Sequence, residues 1–168
     1  KVSSVAGNPF LLNLTNSQLG ASFSNRKDVE KIATRGPLTP DHVIRTKRIP
    51  MIGRDVEKYV KEYISYFNTH KTNAKEKKTM LDPAPRVILD RELGLCAVGK
   101  NMSEIGIISD IYEHTIEGIL KSEKLGGFQA LSASDIFNLE YWDLEQAKLH
   151  KNANSLEFQG EVVLITGA

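Results

Sequence analysis

The 168-residue chain has few of the features that would assign it to a specialised class of protein. Its single cysteine, Cys96, excludes an intrachain disulfide and gives no reason to expect an oxidising compartment. No apolar run approaches the ~20 residues of a membrane-spanning helix, and the first ten residues lack the apolar core of a signal peptide. With 22 Lys and Arg against 21 Asp and Glu, the net charge of +1 does not favour nucleic acid. We therefore expect a cytoplasmic protein that binds neither nucleic acid nor membrane.

Apolar periodicity alternates between the helix and strand patterns, which predicts an α/β fold with a small sheet flanked by helices. Two stripes with three- and four-residue spacing predict helices over 55–68 and 103–124, the second capped by Ser103. Two apolar runs around a polar turn, 86–89 and 95–98, predict a pair of strands. Shorter predicted elements are a strand at 10–14, a helix at 28–33 capped by Asn25, helices that begin at Thr39 and Ser132, and a helix at 141–149 that carries Trp142.

The end of the chain, 160–168, is an apolar β-branched run that is typical of a buried parallel strand. It closes in Thr166, Gly167 and Ala168, as the first strand–helix unit of a dinucleotide-binding domain does. A glycine there allows a tight turn in which backbone N–H groups face a pyrophosphate. The full fingerprint needs two further glycines. We therefore expect Thr166, Gly167 and Ala168 to be an incomplete NAD-binding loop, and both ends of the chain to be cut from a longer protein.

Several segments, taken in order, carry a resemblance to one enzyme family. They are RGPLTPDHVIRTK (35–47), DPAPRVIL (82–89), LGL (93–95), DIYEHTI (110–116), EYW (140–142), LEQAKL (144–149) and the final Thr-Gly-Ala strand. This ordered set resembles the bifunctional rhamnulose-1-phosphate aldolase/alcohol (lactaldehyde) dehydrogenases, in which a class II aldolase portion precedes a short-chain dehydrogenase domain. The resemblance covers nearly the whole chain.

The resemblance implies a cytoplasmic enzyme of deoxysugar breakdown. Its aldolase half would cleave rhamnulose 1-phosphate with a divalent metal, zinc, and its dehydrogenase half would oxidise lactaldehyde with NAD. This chemistry needs three His ligands around an open zinc position and a Tyr-Lys pair beside the dinucleotide. The four histidines of this chain stand singly, and no Tyr-x-x-x-Lys follows a nucleotide-binding unit. We therefore expect no catalytic residue, no metal site and no complete cofactor site in this chain.

One departure from the family pattern indicates which part of the longer protein this is. Residues 86–99 resemble the aldolase element in which a strand delivers a His-Gly pair to the metal, but Leu93-Gly94 stands in that place. We interpret 1–130 as a degenerate class II aldolase-like unit without metal ligands and 131–155 as a helical linker. Residues 156–168 would be the truncated start of a short-chain dehydrogenase domain, with the first strand of its Rossmann-type fold.

The best candidates for a binding site are Asp41, His42, Arg45 and Lys47. A helix start combined with cations is able to hold a phosphate or a sugar carboxylate. His42 would also suit a metal site completed by another segment. The simpler interpretation, which we favour, is that residues 39–41 cap a helix and that Arg45 and Lys47 are solvated on its outer face.

Three functions stay open at this point. The preferred one is a non-catalytic middle or interdomain segment of the bifunctional enzyme. Its partners would be the upstream aldolase and downstream dehydrogenase domains, and a homo-oligomer is an open alternative. The second is a sugar-phosphate-binding part of a composite active site, built from Asp41, His42, Arg45 and Lys47. The third is the N-terminal part of a short-chain dehydrogenase, an oxidoreductase.

Overall fold

A four-stranded sheet lies at the centre of the fold. The computed structural model describes residues 1–74, 76–150 and 160–167. Its strands are β1 (Leu11–Leu14), β2 (Met51–Ile52), β3 (Val87–Asp90) and β4 (Gly94–Gly99), in the order β1-β4-β3-β2. β4 is antiparallel to both β1 and β3, whereas β2 is parallel to β3. The predicted α/β class, a small sheet flanked by helices, is confirmed.

Two long helices and several short ones flank this sheet. α5 (Val56–Lys71) begins after Asp55, whose side chain accepts a hydrogen bond from a backbone amide of the first turn. α6 (Met102–Glu123) begins after Asn101, which caps it in the same way. The shorter helices are α1 (Val2–Ala6), α2 (Gln18–Ser24), α3 (Val29–Ala33), α4 (Val43–Thr46), α7 (Ala133–Glu140) and α8 (Asp143–His150), with a 3₁₀ turn at Pro40–His42 before α4.

The hairpin of β3 and β4 is buried on both faces, which explains why both strands are continuous apolar runs in the sequence. Leu89 and Leu95 belong to the core cluster that includes the buried side of α6, and Cys96 and Val98 belong to the cluster under α5. The two strands are joined by a tight turn in which Gly94 has a φ of 75°. Leu93-Gly94, the pair in the place of the family's metal-ligating His-Gly, therefore forms the turn and the first position of β4.

Three predictions about helix ends are wrong. Asn25 does not begin α3. It ends α2, a helix that the sequence did not predict, and its side-chain amide donates to the Ala21 carbonyl at 3.1 Å. Ser103 lies inside α6, because Asn101 is two residues earlier and caps the helix instead. Trp142 precedes α8 and is half exposed.

α7 packs into the same body as the sheet and its helices, although the sequence placed it in a linker. Its Phe137, together with Tyr141 just after it, lies in a core cluster with Tyr63, Tyr66 and Phe67 of α5. The Phe137 and Tyr141 rings stack with centroids 4.6 Å apart. The boundaries at 130 and 155 stay predictions, but the described packing continues without a break across residue 130.

Residues 160–167 form no strand in the described structure, although 160–168 was predicted as one. The side chains of Val162, Val163, Leu164 and Ile165 are largely exposed. The predicted polar linker at 151–155 lies outside the described residues, as does Ala168. Among the helices in the described part of the chain, none combines the length and apolar character needed to cross a membrane.

Candidate functional site

Lys47 has the most unusual backbone in the described part of the chain. α4 is a single turn that ends at Thr46, and Lys47 follows it with φ 63° and ψ 170°. It is the one non-glycine residue with positive φ among those described. A side chain in this region of φ/ψ space costs about 1–3 kcal/mol, which the surrounding structure must offset. The reversal of the chain at Lys47 turns its side chain into the protein.

The Lys47 ammonium group is buried among polar atoms, with 5% of the residue exposed. Nζ donates to the backbone carbonyl of Asp82 at 2.8 Å and to the hydroxyl of Tyr63 at 3.1 Å. It lies 3.9 Å from a carboxylate oxygen of Glu140, which is completely buried. Burial lowers the pKa of Lys47 to about 8, against the opposing effect of the Glu140 charge. The predicted solvated position of Lys47 is therefore wrong.

A chain of hydroxyl groups connects this lysine to Glu140. The hydroxyl of Tyr63 donates to Glu140 Oε1 at 2.9 Å, so it accepts from both Lys47 and Tyr141, whose hydroxyl is 2.8 Å away. The Tyr141 hydroxyl in turn accepts from the Leu81 amide at 3.3 Å. Both tyrosine hydroxyls of this hydrogen-bonded series have partners, and their bonds fix the relative positions of α5 and α7.

The two carboxylates of this region are in different electrostatic environments. Burial raises the pKa of Glu140, and the nearby Lys47 charge and the Tyr63 hydrogen bond oppose this only in part. Burial also raises the pKa of Asp82, but the charge and hydrogen bond of Arg86 outweigh it, so the pKa falls below the ordinary value. Arg86 contacts Asp82 at 2.6 Å and also lies over the ring of Phe10. Asp82 therefore stays ionised, whereas burial opposes the charged forms of both Lys47 and Glu140.

The sequence-predicted candidates do not come together as one site. No hydrogen bond or ion pair among the described residues joins Asp41, His42, Arg45 and Lys47. Asp41 is exposed, Arg45 is half buried, and Thr39 makes no side-chain cap bond. His42 is half buried, and its Nδ1 is enclosed without a hydrogen-bond partner. A substrate-binding role for these four residues stays a prediction.

The other predicted site, the incomplete NAD loop, lies at the exposed end of the chain. Thr166 and Gly167 lie in the extended segment after Ile165, and Ala168 lies outside the described residues. No group of three His, Cys, Asp or Glu lies together in the described residues in a way that would hold a metal ion. Cys96 is fully buried between sheet and helix, and burial raises the pKa of its thiol.

Sequence reasoning missed the partners of Lys47. Tyr63 was assigned to an apolar stripe and the Glu140-Tyr141 pair to an interface or a core, because nothing in a sequence reports which buried polar groups meet. One signal was available: Glu140 stands among apolar residues on a short helix, and a buried carboxylate needs a cation or several donors. Chemically, the cluster pairs a buried ammonium group with a buried carboxylate through the Tyr63 hydroxyl, and it is enclosed.

Comparison with known proteins places this fold in a family. The family described as "Aldolase class II, second domain" matches residues 1–149. An uncharacterized oxidoreductase of Bacillus subtilis (strain 168), YuxG, is 29% identical over 162 residues, covering 86% of this chain and 23% of that protein. The chain thus spans less than a quarter of this relative's length. No solved structure matches the chain. Because the family match extends from α1 through α7 and most of α8, the chain belongs to the class II aldolase second-domain family.

Proposed function

We propose that this chain is a non-catalytic interdomain segment of a bifunctional enzyme that cleaves rhamnulose 1-phosphate and oxidises the lactaldehyde product with NAD. Its partners would be an aldolase domain before it and a short-chain dehydrogenase domain after it, in a cytoplasmic protein. The resemblance of the ordered segments supports the substrate assignment. The name of the Bacillus relative, an oxidoreductase much longer than this chain, supports a second activity elsewhere in the longer protein.

The observation that carries the proposal is the apolar segment that follows the aldolase-family domain. Val162, Val163, Leu164 and Ile165 are largely exposed and run directly into Thr166 and Gly167. A β-branched run of this kind is unfavourable in water and is normally covered by neighbouring strands. The central parallel sheet of a dinucleotide-binding domain would supply strands on both sides of it.

The described residues do not by themselves make a site for zinc or for NAD. No cluster of three metal-binding side chains is found among them, and Thr166 and Gly167 offer only part of a phosphate-binding turn. The proposal therefore places zinc in the preceding domain and NAD in the following one, and it assigns no catalytic step to this chain. What the chain contributes is rigidity, because the buried Lys47–Tyr63–Glu140 network joins α5 to α7.

The test compares this chain with the longer protein that contains it. After equilibration with zinc and gel filtration, we expect the folded chain to retain far less than one zinc per molecule and to leave rhamnulose 1-phosphate intact. A cooperative thermal transition is the control that the chain is folded. The longer protein should convert rhamnulose 1-phosphate with the formation of NADH.

Two results would contradict the proposal. Retention of one zinc per chain, or cleavage of the sugar phosphate by the chain alone, would mean that these residues hold an active site. Failure of the longer protein to form NADH from rhamnulose 1-phosphate, while it oxidises or cleaves another substrate, would show that the substrate assignment is wrong.

A further inference from the structure

A small cleft opens next to the buried Lys47 cluster and shares Tyr63 with it. Its volume is about 270 Å³, counting the part open to solvent, and its walls come from the segment after α4 and from α5: Arg48, Ile49, Tyr59, Glu62, Tyr63 and Tyr66. Because this volume includes open solvent, the enclosed part is far smaller and suits only the head group of a ligand of a few heavy atoms. Three tyrosine rings and Ile49 make most of its lining apolar.

Two buried hydrogen-bond donors in the walls of this cleft have no partner. The Nε of Arg48 is enclosed without a hydrogen bond, and so is the hydroxyl of Tyr66, a residue that is 8% exposed. Burial raises the pKa of Tyr66, and the charge of the nearby Glu140, together with a weak hydrogen bond to it, raises it further. Glu140 Oε2 is itself buried without a partner of ordinary geometry. An unpaired buried donor is costly, and a ligand oxygen that accepts from both Arg48 and Tyr66 would relieve that cost.

The charges around the cleft leave one cation uncompensated. Lys47 lies 3.9 Å from Glu140, and Glu62 lies 3.9 Å from Lys58. Arg48 forms no ion pair with any residue in the described ranges; its guanidinium lies over the Tyr66 ring, 5.0 Å from the centroid. The local charge is therefore close to +1, and its source is a planar group that pairs well with carboxylates.

We propose that this cleft is a binding site for a small aliphatic monocarboxylate of about three or four carbon atoms. The carboxylate would accept hydrogen bonds from Arg48 Nε and from the Tyr66 hydroxyl, and its short carbon chain would lie against Ile49 and the ring of Tyr59. The ligand satisfies both unpaired donors and neutralises the one free charge. This inference is independent of the proposed function, because it depends only on residues of this chain.

Propionate is the probe, and propionamide is the neutral control of the same shape. We expect propionate to shift the amide resonances of residues 48–66 in a heteronuclear NMR titration, with saturation in the millimolar range. Arg48→Gln should weaken binding about tenfold or more, since it removes a charged hydrogen bond. Tyr66→Phe should weaken it several-fold without unfolding the protein, since the lost hydroxyl makes no hydrogen bond of ordinary geometry with the described residues.

Tyr112→Phe is the matched control variant. Tyr112 is also buried and its hydroxyl has no partner among the described residues, but it belongs to the buried face of α6 and does not line the cleft. Its affinity for propionate should equal that of the wild type. The proposal is overturned if propionamide binds as tightly as propionate, if inorganic phosphate displaces propionate at lower concentration, if no saturable shift occurs, or if Tyr66→Phe and Tyr112→Phe behave alike.

Discussion

Replacing the buried pair Lys47 and Glu140, singly and together, gives a direct measure of how the network holds the fold. Lys47→Met leaves a carboxylate at a position with no exposure, held by the Tyr63 hydroxyl alone on one oxygen. Glu140→Gln leaves a buried ammonium group with only neutral acceptors. In both single variants one charge stays in a low-dielectric environment without its counter-charge.

The expected magnitude follows from that desolvation. Removing one partner of a buried pair costs about 3–5 kcal/mol of unfolding free energy, because the remaining charge is uncompensated. The double variant removes both charges and keeps similar side-chain volumes, so it should cost far less than the sum of the single variants. We expect a coupling free energy of about 2 kcal/mol or more between Lys47 and Glu140.

The chain offers a matched control at the same separation. Lys58 and Glu62 on α5 are also 3.9 Å apart, but their side chains are 61% and 50% exposed. Water screens such a pair, so Lys58→Met and Glu62→Gln should show a coupling of about 0.5 kcal/mol or less. Urea denaturation of all six variants and the wild type, with the slope of each transition checked for constancy, gives both values.

The comparison refutes the reasoning if the two coupling free energies are equal. Equally small values would mean that Lys47 is charged and hydrated in solution, or that Glu140 is neutral without any influence of the lysine. A large coupling at both sites would point to an effect on the unfolded chain, since the exposed pair is local to one helix.

Three further outcomes are expected. The pKa of Lys47 is about 8 in the folded chain and 10.5 in a free side chain, so the unfolded state binds more protons between these two pH values. The free energy of unfolding should therefore rise with pH across this window. In urea titrations, Lys47→Met should remove that rise. The hydrogen bonds from Arg54 lower the pKa of Asp90 to about 2. The contribution of Asp90 to the free energy of unfolding should therefore be present above about pH 4 and lost as the pH falls to about 2. Asp90→Asn should cost about 1–2 kcal/mol at pH 7 and abolish this acid dependence. A Cβ at Gly20 would lie 2.7 Å from the Leu95 side chain of β4, whereas one at Gly106 meets nothing within 4 Å. In thermal melts, Gly20→Ala should therefore be destabilised by about 1–3 kcal/mol. Gly106→Ala, in the middle of α6, should be stabilised by about 0.5–1 kcal/mol.

The elements that the sequence predicted correctly are those with a strong apolar period. α5 carries a stripe from Val56 to Phe67, and β3 and β4 are apolar runs bounded by polar residues and glycine, so local pattern and tertiary burial agree. α2 has no such stripe: its buried residues are Gly20, Phe23 and Ser24, two of which are small and not apolar. α2 depends on its contact with β4, where Gly20 lies against Leu95. The spacing of apolar residues in the sequence does not predict that contact.

The position of Lys47 was mispredicted for a different reason. The sequence shows a capped helix with cations at 45, 47 and 48, and continuation of a regular helix would place Lys47 beside solvent. The helix stops at Thr46, and the positive φ of Lys47 reverses the direction of its side chain. A positive φ after a helix is expected at glycine or asparagine, so a lysine at this position does not predict one. The structure was needed because the strain at Lys47 is offset by Tyr63 and Asp82, which are distant in sequence.

Tyr63 separates two sets of polar groups that we expect to have separate roles. On one side every hydroxyl and the Lys47 ammonium have partners and only Glu140 Oε2 lacks one, so that set stabilises the fold without a ligand. On the other side Arg48 Nε and the Tyr66 hydroxyl have none, so the fold carries a cost there that a ligand would remove. The double variant Lys47→Met/Glu140→Gln keeps the local charge at +1 and does not alter the cleft walls. If the two roles are separate, its affinity for propionate in the same NMR titration should stay within about twofold of wild type, which is below 0.5 kcal/mol. A loss of propionate affinity as large as that of Arg48→Gln would mean that binding depends on the Lys47–Glu140 pair, and that the network and the cleft are one site.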